Sequence, residues 1–382
     1  MSNKAVLVVD IGNSETRVMT IFGKTLEGNT RWRLTSLDNH FGNLDDGFVI
    51  PDEYNEKTTK VFRYKGGDIC VGELCRREFV NSDDFRPSAL EKKYESDVTD
   101  MTLIYSFLRG FQDVSIMTST PIERLDLVWD VTVLLPPADL EYGAQKMGEK
   151  VKAITEIDFT MPHVKKFVEV DSVKVMPEGF CAYLGTIYDM DRKPRSEYKY
   201  LKTSTSIVFD IGAGTTDIIV IEDGKPINAT RYTVPTGGNN VHQRVRKDLI
   251  SMGLDLPEDA VREGVEHGYV KSGSKRISIA RQISRAKDKV AQNIVSNIRD
   301  FFESTQYPVK MIEYMIVCGG GAVENNVEGV RPLRDYLVEY MKRISNDIAL
   351  VQLPEIYHGD DPIDNSPRIL NILGAGVASV QD

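Results

Sequence analysis

The chain has 382 residues, 41% hydrophobic and 27% charged, with 29 glycines and 16 prolines. That balance excludes disordered and collagen-like chains and predicts two domains, at roughly 100–200 residues each. The formal charge of −10, from 57 acidic and 47 basic residues, argues against a broad basic face that grips nucleic acid. The four cysteines, Cys70, Cys75, Cys181 and Cys318, are too scattered for a zinc framework and fit a reducing, cytoplasmic compartment. Apolar runs are too short for a signal-peptide core or a spanning helix, so neither secretion nor membrane insertion is expected.

In chain order, an apolar run over 5–9 ends at Asp10-Ile11-Gly12-Asn13-Ser14-Glu15-Thr16-Arg17, and a second run follows over 18–22. This predicts a strand, a tight turn and a strand. Turn-rich sequence over 34–100 reads as a lobe inserted into the first domain. A helix is expected around 103–111, a strand over 127–135 stopped by Pro136 and Pro137, and a helix over 138–154. Residues 173–183 read as a strand entering a helix with Pro177 in its first turn. Glu178 then sits at that helix's N-terminus, where the helix dipole alone would favour an acid. The polar stretch 191–205 reads as a solvated connector.

The second half opens like the first. A run over 207–209 ends at Asp210-Ile211-Gly212-Ala213-Gly214-Thr215-Thr216-Asp217 and passes into another over 218–221, placing Asp210 200 positions after Asp10. A repeat at that distance predicts two domains of like topology around a cleft, since solenoid periods are only about 20–50 residues. Thr236-Gly237-Gly238 precedes a helix and offers amides for a third phosphate contact, with an ordinary turn as the alternative. Apolar spacing over 283–301 predicts a long amphipathic helix. A strand over 311–318 breaks into Gly319-Gly320-Gly321, bare enough for a base or sugar to lie against. Residues 369–378 form a helix whose Gly374, Ala375 and Gly376 call for a closely packed partner.

Gly12, Gly212 and Gly214 let backbone N–H groups approach an anion, and Ser14, Thr215 and Thr216 add hydroxyls, so each turn can cradle phosphate. Asp10 and Asp210, at strand ends, are hard oxygen ligands suited to a hydrated Mg²⁺. Either turn alone is as well explained by Asp-x-Gly turn chemistry; two copies with matching flanks favour phosphate. No Walker-type G-x-x-x-x-G-K-S/T segment is present, and none of the glycine clusters completes the dinucleotide fingerprint.

Taken in order, 8–18, 175–183, 208–221, 316–323 and 370–377 resemble five segments of the actin and heat-shock-chaperone ATPase superfamily: phosphate 1, connect 1, phosphate 2, adenosine and connect 2. Within it, Val131-Thr132-Val133-Leu134-Leu135-Pro136 and Lys174-Val175-Met176-Pro177-Glu178 are most similar to the ParM-type bacterial actin-like plasmid-segregation proteins. The resemblance implies an α/β, actin-like ATPase fold: two duplicated ribonuclease-H-like domains around a nucleotide cleft, each with a smaller inserted lobe. Domain I would cover 1–200 with a lobe at about 34–100, completed by a C-terminal helix at about 366–382; domain II would cover 201–365 with a lobe at about 240–285.

The same resemblance implies ATP or GTP with Mg²⁺, hydrolysis coupled to a homopolymeric filament, and plasmid DNA moved through a centromere-bound adaptor. No direct contact with nucleic acid or membrane is implied. Glu178 matches the position that orients or deprotonates the attacking water, with Asp10 and Asp210 holding Mg²⁺ mainly through its waters. Gly12, Asn13, Ser14, Arg17, Gly212, Gly214, Thr215 and Thr216 match the phosphate loops. Gly237 and Gly238 match a further phosphate or ribose contact, and Gly319, Gly320 and Gly321 the adenosine turn. Two departures stand out: Glu15 replaces a commonly neutral residue, and 32 positions separate Glu178 from Asp210. The alternatives are a chaperone-type ATPase, a cell-shape or division actin, and a small-molecule kinase. The first should carry a substrate-binding domain after the last helix, the second a basic amphipathic terminal helix, and the third should transfer phosphate to a small acceptor.

Overall fold

Continuous runs of Val and Ile favour strands buried on both faces, and such runs supply the centres of two sheets. The computed structural model describes residues 3–12, 15–45, 47–78, 92–323, 327–345, 347–358, 361–362 and 366–380. It opens with β1 (Lys4–Ile11), β2 (Thr16–Lys24), β3 (Thr30–Leu37), β4 (Phe41–Leu44), β5 (Thr59–Tyr64), β6 (Gly67–Gly72) and the short α1 (Glu73–Glu78). Then come α2 (Asp97–Thr118), β7 (Val128–Leu135), α3 (Leu140–Ala153), β8 (Glu156–Met161), β9 (Val164–Phe167), β10 (Glu169–Pro177) and α4 (Phe180–Ile187). The second half begins with β11 (Thr205–Ile211), β12 (Thr216–Glu222), β13 (Lys225–Val234), α5 (Asn239–Ser251) and α6 (Glu258–His267). It continues with β14 (Tyr269–Ser272), β15 (Lys275–Ser278), α7 (Ala280–Thr305), β16 (Tyr314–Cys318), α8 (Leu333–Met341), β17 (Ala349–Leu350) and α9 (Ser366–Ser379).

One sheet runs β3-β2-β1-β7-β10 and the other β13-β12-β11-β16-β17, each an antiparallel meander continued by two parallel strands. The register repeats as well. Val9 faces Val18, Asp10 faces Arg17 and Ile11 faces Thr16; Phe209 faces Ile218, Asp210 faces Asp217 and Ile211 faces Thr216. Because a one-residue slip would turn every side chain to the opposite face, equal pairing puts both aspartates at the same place on the same turn.

The lobe has different bounds from the expected 34–100. β3 stays in the main sheet through Leu37, and α2 covers that sheet from Asp97 onward. The third sheet, β4-β6-β5-β8-β9, takes two strands from beyond α3. Phe62 pairs with Phe159 across β5 and β8, their rings 5.0 Å apart, and this long-range contact has no local sequence signature. In the second half, the residues between β13 and α7 form α5, α6 and the β14–β15 hairpin.

α2 outruns the expected 103–111 because the Ser96 side chain caps it, accepting the Val98 amide. Its Phe107 and Phe111 set their edges against Trp129 at 6.0 and 5.3 Å, and a Cβ on Gly110 would lie 2.8 Å from the same indole. On α7 the expected stripe is buried: Ile283, Val290, Ile294 and Ile298 are fully enclosed. α4 and α9 form the layer between the sheets, in a cluster with Val8 and Leu134 from one side and Val208 and Ile316 from the other. The partner that the small residues of α9 call for is therefore α4, where a Cβ on Gly185 would lie 2.5 Å from the Leu370 carbonyl oxygen.

The stretch 191–205 is not a solvated loop. A 3₁₀ turn over Ser196–Thr203 buries Tyr198 and Leu201. The Arg195 guanidinium donates to the carbonyls of Gly185 (2.7 Å), Thr186 (3.2 Å) and Tyr188, so part of its basic character closes the C-terminus of α4. Among the described residues no helix is long and apolar enough to cross a membrane.

Candidate functional site

Each Asp-x-Gly turn closes on itself. The Gly12 amide donates to the Glu15 carbonyl at 3.1 Å, and the Gly212 amide to that of Thr215 at 2.8 Å. The first carbonyl of each turn is also held from outside. The Asn39 side-chain amide donates to Gly12, and the Gly238 amide donates to Gly212 at 2.9 Å. Donors for an anion must therefore come from residues after these glycines. Asn13 and Ser14 lie outside the described residues. In the second turn, Ala213 and Thr215 line a cleft, on either side of Gly214.

That cleft gathers Asp10, Gly12, Arg17, Glu178, Asp210, Gly212, Gly319 and Gly320, all singled out from sequence. It also gathers Lys93, Asp217 and Asn371, which were not. Glu178 arrives on β10. Contrary to expectation Pro177 does not open a helix: it is the last residue of β10, opposite Leu135, and the Glu178 amide donates to the Leu135 carbonyl at 2.9 Å. β10 is an edge strand, where a residue without an N–H is tolerated. Gly179 then turns the chain at φ 74°, and α4 begins at Phe180. Glu178 thus stands just before the helix.

The amides of Gly179 and Ala182 donate to Asn371 Oδ1 at 2.9 and 3.1 Å, while Asn371 Nδ2 donates to the Asp210 carboxylate. One α9 side chain therefore caps α4 and ties the segment carrying Glu178 to the strand carrying Asp210. A lone polar residue inside the apolar run Leu370-Asn371-Ile372 is the sequence signal that could have found it. Asn371→Ala should lower the unfolding free energy by about 1–3 kcal/mol by leaving those groups unpaired. Chemical denaturation reads this directly, and an unchanged midpoint would remove the tie.

The site is acidic and enclosed. Asp10, Glu178, Asp210 and Asp217 are each at most 7% exposed. Burial pushes the Glu178 carboxyl up to about 8, against the pull of Lys93, with Asp10 and Asp210 adding to the rise. Burial, then Asp217 and Asp10, push Asp210 up to about 7, and burial pushes Asp217 up to about 6. Burial works to lower Lys93, yet Glu178 and Asp10 carry it above its ordinary value. Lys93 Nζ lies 2.8 Å from Glu178 Oε1. Glu178, Asp210 and Asp217 therefore hold protons more readily than free carboxylates do, and a cation would relieve their mutual repulsion.

Several expected contacts are instead structural. The Thr216 hydroxyl is fully buried and donates to the Thr236 carbonyl at 2.7 Å, away from the cleft. The Gly237 amide donates to Asn240 Oδ1 at 2.8 Å, so with Gly238 it buttresses the second turn and has no amide left for a phosphate. A Cβ on Gly237 would lie 2.6–2.8 Å from that turn's backbone. Gly321 packs on Ile211, leaving Gly319 and Gly320 to face the cleft. Arg17 lines the cleft but is engaged by Glu15 at 2.7 Å, which accounts for that unusual acid.

Among the described residues no three His, Cys, Asp or Glu side chains converge to cage a metal. The donor set fits a looser arrangement: two buried carboxylates on opposing turns, Asp10 and Asp210, suit a Mg²⁺ that keeps its waters.

Comparison with known proteins agrees with this geometry. Residues 208–327 match the family described as archaeal actin homologue MreB-like, C-terminal. Over the whole chain, the structure is similar to the actin-like protein Alp7A, with a TM-score of 0.68 and 13% identity over 98% of this chain and 96% of that one. It is similar to Ta0583, an archaeal actin homologue, with a TM-score of 0.65 and 15% identity over 98% of both chains. A 15-stranded ParM filament from Clostridium botulinum matches at a TM-score of 0.58 and 16% identity over 98% of both chains. The chain has the actin-like fold. In this actin-like chain the duplicated sheets, the two Asp-ended turns and the α4–α9 layer come together at one cleft.

Proposed function

We propose that the protein is a ParM-type actin homologue that binds and hydrolyses ATP or GTP with Mg²⁺ and polymerises according to its nucleotide state. One observation carries the reading: both halves present an aspartate next to the end of its strand and a self-closed turn, in equal register, to a cleft that also contains Glu178. Ta0583 has been seen with ADP and ParM as a filament, which supports it. Asp10 and Asp210 would hold Mg²⁺ through its waters, and the ion, when bound, would offset phosphate charge. The residues after Gly12 and Gly212 would cradle phosphates, and Gly319 and Gly320 would face the nucleoside. Glu178 would orient and deprotonate the attacking water, a role worth about 10²–10⁴-fold.

In the same reading the chain divides into domain I (1–200 and about 366–382) and domain II (201–365). It works in the cytoplasm, and plasmid DNA is cargo held through an adaptor, in keeping with the −10 charge. Light scattering and sedimentation with Mg²⁺ and ATP, GTP or their non-hydrolysable analogues test it. Polymer should form with triphosphate and shrink as hydrolysis proceeds. Absence of polymer under every nucleotide would sink the filament reading.

A further inference from the structure

Four cations line the cleft among the described residues, and one of them, Arg368, is exposed on α9 beside Gly320, away from Glu178. Arg17 pairs with Glu15 on the same turn, and Lys92 pairs with Asp139 at a half-exposed rim. Lys93 differs: it meets Glu178, 85 positions away, with side-chain exposures of 17% and 9%. Its backbone is fixed. The 3₁₀ turn Lys93–Glu95 buries Tyr94, Lys146 binds Glu95 at 2.7 Å, and Ser96 then caps α2. The ammonium rides on a flexible four-carbon stem and can redirect its three donors without moving that backbone.

While the pair stands, Lys93 occupies one oxygen of the very carboxylate that should meet water. A phosphate group carries more charge than a carboxylate and offers several acceptors, so it is the stronger partner for a compact ammonium. We propose that Lys93 is the cleft's ligand for the terminal phosphate, held in reserve by Glu178, and that an incoming triphosphate takes Lys93 over and so frees Glu178 for water. This rests on the nucleotide-binding reading above. It makes Lys93 the group that tells triphosphate from diphosphate, and it keeps Glu178 neutralised until a terminal phosphate is present.

Binding of MgADP and of Mg²⁺ with the β,γ-imido analogue of ATP, measured calorimetrically on the full chain, tests this with Lys93→Gln, Glu178→Gln and the double variant. Lys93→Gln should weaken the imido-triphosphate about 10–100-fold, as loss of a charged hydrogen bond does, and ADP less than about threefold. Glu178→Gln should tighten the imido-triphosphate about fivefold or more by releasing Lys93, and the tightening should vanish in the double variant, which leaves no buried charge unpaired. Equal losses for both nucleotides, no loss for either, or tightening that persists without Lys93 would each overturn the proposal. If Lys93→Gln does not fold, the Glu178→Gln arm decides alone, and unchanged affinity there counts against it. A parent chain that binds neither nucleotide would remove the nucleotide reading itself, and the inference with it.

Discussion

Glu178→Gln should slow hydrolysis by about 10²–10⁴-fold while nucleotide remains bound at least as tightly as in the parent chain. Glutamine keeps the shape of the side chain and loses the ability to accept a proton. The position is fixed by backbone that the substitution does not touch: Pro177 paired with Leu135, the Glu178 amide bonded to the Leu135 carbonyl, and Gly179 turned at φ 74°. A loss confined to the chemical step, with binding intact, is the signature of an interaction made only in the transition state. Phosphate release in a single turnover at saturating nucleotide is the measurement. A parent-like rate would take Glu178 out of the role, and polymers of the variant should outlast those of the parent.

Gly374→Ala should destabilise the chain by about 3 kcal/mol or more, at or beyond the top of the roughly 1–3 kcal/mol that a surplus methyl group ordinarily costs in a packed core. A Cβ there would press into the Cys181 carbonyl and lie 2.7 Å from the Gly185 amide nitrogen, so α4 and α9 would have to separate. Alanine's better helix propensity, about 1 kcal/mol, cannot offset a clash with two backbone groups of α4. Asn371 lies one turn earlier on α9, so turnover should fall together with thermal stability. Gly148→Ala on α3 is the control: nothing lies within 4 Å of its Cβ position, and it should stabilise by about 0.5–1 kcal/mol. Equal effects of the two substitutions in a melting experiment would contradict the packing argument.

The duplication was readable because a turn is a local object. Asp10 and Asp210, the glycines after them and the flanking apolar runs all lie within about ten residues of sequence, and strand register then followed from burial. The long helix α7 and the need of α9 for a partner were legible for the same reason, since period and side-chain size are local properties. Lys93 was not legible. One lysine in a charged stretch has nothing to distinguish it until the fold places it 2.8 Å from a carboxylate 85 positions away. The strand role of Pro177 was hidden because a proline before a helix resembles a helix start, and only its pairing with β7 decides otherwise. Gly237 and Gly238 misled in a related way: glycine marks close approach, and here the approaching group is the Gly212 turn. The lobe boundary was missed because β8 and β9 join a sheet whose other strands precede them by a whole helical layer.

The central claim is that the two turns act together on one Mg²⁺-nucleotide. The most direct test is a double-mutant cycle on Mg²⁺-dependent nucleotide affinity with Asp10→Asn, Asp210→Asn and both together. Each single change should weaken binding by about tenfold or more. The double change should cost less than their product, with a coupling of about 0.5–3 kcal/mol, because both carboxylates hold the same hydrated ion. Losses that multiply independently, or a single variant that binds like the parent, would contradict a shared clamp.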